Sequence, residues 1–134
     1  MAKETEGLEL DLATVRFGVA AVFKSPHLGK YFVAAVQTPI NGNDELVACL
    51  LTIPEWSDWR NATFWWIQSV YVQEAWRRRG VYRLMHDAVL AQARARKDVC
   101  GVRLYVEREN RTARTVYKKV GLTPSAYRVF EKDF

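Results

Sequence analysis

Apolar residues recur at helical spacing at Leu12, Val15, Val19 and Val22. Asp11 stands where it can cap this helix, and Ser25-Pro26 ends it. The period then changes. Residues 31–36 read as a strand and residues 46–53 as its returning partner. Between them, residues 38–44 predict a turn with Asn41-Gly42 at its tip. Residues 54–61 read as a polar loop carrying Trp56 and Trp59, and residues 62–72 as a long strand rich in aromatic and β-branched side chains. Helical spacing returns at Val81, Leu84, Met85, Ala88 and Val89, predicting a helix from Val81 to about Arg96. Its outer face carries Arg83, Arg94, Arg96 and Lys97. Residues 101–106 predict another strand. Asn110 then caps a short helix over residues 111–120, which Gly121 stops. Residues 127–130 read as a closing strand.

The resulting order is α-β-β-β-α-β-α-β. Hairpins at the front and strand–helix–strand crossovers at the back predict an α+β fold. Its central sheet is mixed and mostly antiparallel, with flanking helices. The 134 residues fit one domain with a real core. A composition of 49% hydrophobic and 26% charged residues is that of a globular chain rather than a disordered one. No apolar run approaches the ~20 residues of a membrane span, and the polar start has no apolar signal segment behind it. The expectation is a cytoplasmic protein with no membrane partner. Cys49 and Cys100 lie in apolar strand-like runs and are expected to be buried, reduced packing residues. His27 and His86 offer no further ligands at metal-binding spacing, so no metal is expected. The net charge of +5 favours acidic partners without separating a nucleotide-like cofactor from nucleic acid.

Two segments carry candidate chemistry. In residues 73–83 a strand leads into a basic turn with one glycine, and the turn leads into a helix. That arrangement aims backbone N–H groups at a phosphate, helped by the positive end of the helix dipole. Arg77, Arg78, Arg79 and Arg83 add charge; the plainer alternative is a solvated basic patch. In the second segment, Asn110, Ala113 and Tyr117 line one face of two helical turns. A phenol held there can donate a proton to a departing thiolate, since their pKa values differ by only about two units. The alternative is a core tyrosine below a capping asparagine.

Taken together, these segments resemble the GNAT superfamily of acyl-CoA-dependent N-acetyltransferases. Residues Arg77-Arg78-Arg79-Gly80-Val81-Tyr82 follow its Arg/Gln-x-x-Gly-x-Gly/Ala motif except at the last position. Asn110, Ala113, Tyr117 and Gly121-Leu122 follow its later Asn-x-x-Ala-x-x-x-Tyr and Gly-Phe-like pattern. The resemblance runs from about Tyr31 to the C-terminus. It extends to a bacterial branch sharing the Trp-Ser-Asp-Trp-Arg-Asn loop at residues 56–61 and the Trp-Trp-Ile-Gln-Ser-Val-Tyr-Val strand at residues 65–72. It implies the GNAT fold, with acetyl-CoA (coenzyme A) as cofactor and an amine of a small molecule or protein as acceptor. The backbone of Val70, Tyr71 and Val72 would pair with the pantetheine arm. Arg77, Arg78, Arg79, Gly80, Val81, Tyr82 and Arg83 would hold the pyrophosphate. Asn110 would contact the pantetheine region, and Tyr117 would be the general acid of a direct transfer. A strand N–H near Val70 would meet the charge developing on the acyl oxygen.

The chain departs from that family at three points. Tyr82 replaces a small residue, so its ring must turn away from the phosphates. Family members often place a glutamate on the central strand, where this chain has Gln68 and Ser69; Glu55, Asp58 or Glu107 would have to act through water. No opening strand is expected before the helix at Asp11, which would leave residues 31–36 with an open edge and predicts a homodimer that covers it. Trp65 and Trp66 alternate faces, while Trp56 and Trp59 either wall the acceptor site or anchor their loop. Two rival classes remain: a non-catalytic CoA- or protein-binding module of the same fold, and a nucleic-acid binder using the arginines. The second lacks a stacking motif on the strands, so no nucleic-acid partner is expected.

Overall fold

Asp11 begins the first helix by accepting a hydrogen bond from the backbone N–H of Thr14 at 2.8 Å. The computed structural model describes residues 7, 9–37, 42, 44–132 and 134. Its helices are α1 (Leu12–Lys24), α2 (Val81–Arg94) and α3 (Arg111–Lys119). Its strands are β1 (Lys30–Gln37), β2 (Asp44–Ser57), β3 (Ala62–Val72) and β4 (Val99–Leu104). They form one sheet in the order β1-β2-β3-β4. The first three run antiparallel and β4 runs parallel to β3, so the mixed α+β architecture is as the sequence predicts. The turn expected over residues 38–44 falls mostly outside the described residues. Gly42, which is described, has the positive φ of 65° that a hairpin tip requires.

Three boundaries differ from the sequence reading. The loop expected from Pro54 starts only after Ser57, because β2 continues to that point. Its last β1 partner is at Thr52, so Pro54 lies where β2 has β3 alone beside it, and a missing N–H is tolerated on the open side. β4 starts at Val99 and ends at Leu104. The closing strand expected at residues 127–130 does not form, and Tyr127 and Phe130 are exposed. β-propensity nominates a strand, but only a neighbouring strand's hydrogen bonds make one.

The core lies between the sheet and α2. Phe32, Ala48, Leu50, Ile67, Met85 and Val89 form its buried centre, and Trp65, Val70, Val72, Val102 and Leu104 pack around it. The β3 contributors change parity, from Trp65 and Ile67 to Val70 and Val72. The register explains this: Leu51 pairs with Ser69 and Thr52 with Ile67, so Gln68 is an extra residue in a β-bulge. A second irregularity corrects the cysteine reading. Thr63 pairs with Val99 and Phe64 with Gly101, which leaves Cys100 out of the ladder and exposed. Cys49 is half-buried.

His86 is fully buried on α2, and neither ring nitrogen has a hydrogen-bond partner among the described residues. The Asp87 carboxylate comes only within 3.8 Å of Nδ1. Burial holds the imidazole pKa below its ordinary value, and Asp87 offsets part of that effect. A depressed folded-state pKa means that the unfolded chain takes up the proton first as pH falls. The stability contribution is therefore present above about pH 6.5 and is lost as pH drops through the folded pKa. Urea-unfolding free energy is expected to fall below pH 6.5 by at most ~1.4 kcal/mol per pH unit from this group. His86→Leu should flatten that slope; an unchanged slope would assign it to other groups.

Candidate functional site

The sheet opens where β3 leaves β4. Their pairing covers Thr63 to Ile67 and stops at the Gln68 bulge. From there to Val72, the β3 edge on that side has no β4 partner. The chain also leaves β4 after Leu104. A slot results, with half-buried Val70, Tyr71 and Val72 along one wall. Beside the point of divergence, the rings of Trp66 and Tyr105 stack with centroids 4.2 Å apart. An extended ligand can enter this slot and use main-chain groups that a fifth strand would otherwise use.

The slot leads to the basic turn. Gln73 ties the end of β3 to β2 through its backbone N–H, which donates to the Val47 carbonyl at 2.9 Å. A short 3-10 turn, Glu74–Trp76, follows. Arg78 then takes a φ of 62° and Gly80 a φ of 81°. Two left-handed residues so close together curl the backbone into a concave run of amides. Gly80 is the N-cap of α2 and brings no side chain to that position. The first helical bond is from the Leu84 N–H to the Gly80 carbonyl at 3.1 Å. The N–H groups of Val81, Tyr82 and Arg83 consequently have no earlier helical carbonyl to bond. No acidic residue stands in the first turn, and a Cβ at Gly80 would meet nothing within 4 Å. This open, positively polarised helix start fits a pyrophosphate.

The arginines are not equivalent. Arg77 donates from Nε to the Val72 carbonyl at 3.0 Å, which joins the turn to the slot wall. Arg79 lies 5.1 Å from the Trp76 ring centroid. Arg83 is 3.9 Å from Asp87 in an exposed pair of small energetic weight. Arg78 and Arg79 are exposed and immediately precede Gly80.

Tyr82 turns inward. Its ring lies 5.9 Å from that of His86 and 5.6 Å from that of Tyr117, and its Oη has no partner among the described residues. Burial, and then the neighbouring Tyr117, push its phenol well above the ordinary tyrosine range. The bulky residue therefore leaves the amide face clear and forms the contact between the two motif segments. On α3, the Asn110 Oδ1 accepts from the Ala113 N–H at 2.9 Å, so its side-chain NH2 remains available to donate. Tyr117 is half-buried, and burial raises its phenol pKa, which keeps the proton in place at neutral pH.

The far end of β3 holds a cavity of about 280 Å³ lined by Trp56, Asp58, Trp59, Phe64 and Arg103, among others. Trp56 and Trp59 are exposed there and wall the cavity instead of anchoring the loop. Glu55 is held by two donors: Trp66 Nε1 at 2.5 Å and Arg103 Nη1 at 3.0 Å. The Arg103 guanidinium lies 3.4 Å from the Phe64 ring centroid. Asp58 accepts from the Trp59 N–H at 2.8 Å. Glu55, in β2, and Asp58, in the loop after it, thus both have structural duties. Sequence reading missed this network, since nothing local links Glu55 to Arg103. It also missed the Gln68 bulge, for which the apolar phase shift from Trp65 and Ile67 to Val70 and Val72 is the available signal. Among the described residues, no group of three or more His, Cys, Asp or Glu side chains is placed to hold a metal ion. Nor is any described helix long and apolar enough to cross a membrane.

Comparison with known proteins places this geometry. Among curated proteins nothing matches the chain. A possible acetyltransferase from Clostridium difficile 630 is 37% identical, over 99% of this chain and 84% of that one, with a TM-score of 0.88. The aminoglycoside N-acetyltransferase AAC(6')-Iy, solved in complex with CoA, is 14% identical over 92% of this chain and 88% of that one, with a TM-score of 0.71. A ribosomal-protein-alanine N-acetyltransferase from Brucella melitensis biovar Abortus 2308 is 15% identical over 88% and 79%, with a TM-score of 0.64. These last two share the fold. Residues 9–122 match the Acetyltransferase (GNAT) family, to which this chain belongs.

Proposed function

We propose that the protein moves an acetyl group from acetyl-CoA directly to an amine of a small molecule or protein. One observation carries the reading: the slot between β3 and β4 runs into the open amides at Gly80, with Tyr117 beside them through its contact with Tyr82. Acetyl-CoA supplies an activated acyl group, a thioester whose thiolate leaves readily. The residues of the chain do the rest. Arg78, Arg79, Gly80, Val81, Tyr82 and Arg83 hold the pyrophosphate, Arg78 and Arg79 by charge and Val81, Tyr82 and Arg83 by backbone N–H groups that the Gly80 cap leaves open, and Arg77 braces the turn on Val72. Val70, Tyr71 and Val72 align the pantetheine arm by main-chain hydrogen bonds, and the Asn110 NH2 donates to it. An outward amide near Val70 faces the charge that develops on the acyl oxygen. Tyr117 holds at Oη the proton that the departing sulfur needs. Direct transfer also suits the cysteines: burial raises the Cys49 thiol pKa, and Cys100 sits beyond the far end of the slot.

The acceptor amine must be neutral to attack. Gln68 and Ser69 are no bases of ordinary strength, and Glu55 is already bonded to Trp66 and Arg103. That engagement favours a second reading, a non-catalytic CoA-binding module. Acetyl-CoA is expected to raise the melting temperature, and adenosine alone to raise it much less. No shift at millimolar acetyl-CoA would sink both readings. Thiol release across a panel of amines, from aminoglycosides to peptide N-termini, separates enzyme from module and identifies the acceptor class. The reading extends to a homodimer, since among the described residues β1 is an outer strand paired on one side only. Light scattering at micromolar concentration should return twice the chain mass.

A further inference from the structure

α1 is an apolar helix with no core to enter. None of its 13 residues is buried, although only Arg16 and Lys24 are charged. Leu12, Phe17 and Phe23 are 71%, 77% and 72% exposed. A helix apolar on every side is ordinarily found buried. Here the buried centre lies under α2, and α1 touches the sheet at its C-terminal end, where Phe23 stacks on Tyr31 with centroids 5.6 Å apart. Leu12, Val15, Val19 and Phe23 share one side of the helix, and all four are exposed. Exposed Leu10 and Leu28 extend the patch at either end.

We infer that α1 seats a second copy of this chain, packed antiparallel against its own α1 across a two-fold axis. The inference rests on the homodimer reading and says where the partner lies. Three observations favour a second copy over an unrelated partner. First, seven large apolar residues between Leu10 and Leu28 are exposed, and a two-fold pairing covers that patch on both copies at once. Second, the helix ends are complementary: Glu9 and Asp11 precede α1 and Lys24 closes it, so an antiparallel pair sets acidic start against basic end and opposes the dipoles. Third, Gly18 is the midpoint of Leu12–Lys24, and a Cβ there would meet nothing within 4 Å. A mid-helix glycine is less favourable than alanine, and beside Val15 at the edge of the stripe it lets a partner's backbone approach.

The test compares oligomeric state in three proteins: the wild type, Val15→Glu/Val19→Glu, and Gly18→Cys in a Cys49→Ala/Cys100→Ser background. The wild type is expected to be a dimer. The double glutamate variant should be a monomer that keeps a cooperative melting transition without ligand. Gly18→Cys should oxidise to a covalent dimer, which carries the test if the glutamate variant fails to fold. A wild-type monomer overturns the inference together with the homodimer reading. A glutamate variant that stays dimeric, or a Gly18→Cys protein that forms no cross-link, overturns the α1 seat alone and returns the interface to the β1 edge. Neither outcome bears on acetyl-CoA binding.

Discussion

Tyr117→Phe is expected to lower kcat roughly 100-fold while leaving acetyl-CoA affinity within about twofold, the signature of a lost general acid. The substitution removes one hydroxyl and keeps the ring that packs 5.6 Å from Tyr82. Stability and cofactor binding should therefore survive, and chemistry alone should suffer. The pH dependence adds an independent readout. Burial raises the Tyr117 pKa, so the wild-type phenol keeps its proton to higher pH than a free tyrosine. Activity should rise with pH as the acceptor amine becomes neutral and fall only above about pH 10, once the phenol ionises. The variant should lose that alkaline fall. Tyr82→Phe is the control: it deletes a hydroxyl that has no partner among the described residues and should leave kcat unchanged within about threefold. Full activity in Tyr117→Phe would remove Tyr117 from the chemistry, and no turnover in the wild type with any amine would favour the binding module.

Gly80→Val should weaken acetyl-CoA binding roughly 100-fold, equivalent to about 2.7 kcal/mol. The reason is conformational. Gly80 has a φ of 81°, where a β-branched side chain is a genuine outlier. Relieving that strain would swing the Val81, Tyr82 and Arg83 amides off their common target. Direct crowding plays no part in the wild-type geometry, since nothing lies within 4 Å of a Cβ at this position. Arg78→Gly is the informative contrast. Arg78 also has a positive φ, 62°, and glycine adopts it without strain. That variant loses one charge but keeps the amide geometry, so its affinity should fall less than tenfold. Calorimetric titration of both variants decides the matter. If Arg78→Gly costs more than Gly80→Val, the arginine charge holds the phosphates and the curled backbone is secondary.

Both variants test positions already visible in the sequence, because each depends on neighbours along the chain. The Asp11 and Asn110 caps, the helical stripe after Gly80 and the strand at Ala62–Val72 are all local patterns, and all formed where expected. The failures were failures of partnership. Residues 127–130 have strand-like side chains but no strand beside them. Pro54 looked like the start of a loop, yet it is tolerated in β2 where one side of that strand is open. Cys100 lies in an apolar run but drops out of the ladder at an irregularity in the β3–β4 register.

The sequence by itself determined the family, the order of the first seven elements and two motif segments, since periodicity, caps and turn residues act within a few positions of one another. Only the tertiary structure decided how the segments meet. Tyr82, whose ring had only to turn away from the phosphates, turns inward and joins that segment to Tyr117. The Gln68 bulge reverses the facing of β3 just where β4 departs, opening the slot. α1, whose apolar residues recur at helical spacing, is left without a buried residue. These outcomes depend on register, on packing between distant segments and on which surfaces find a partner. None of them is a property of neighbouring residues, which is why the chain could name its elements without disclosing how they fit.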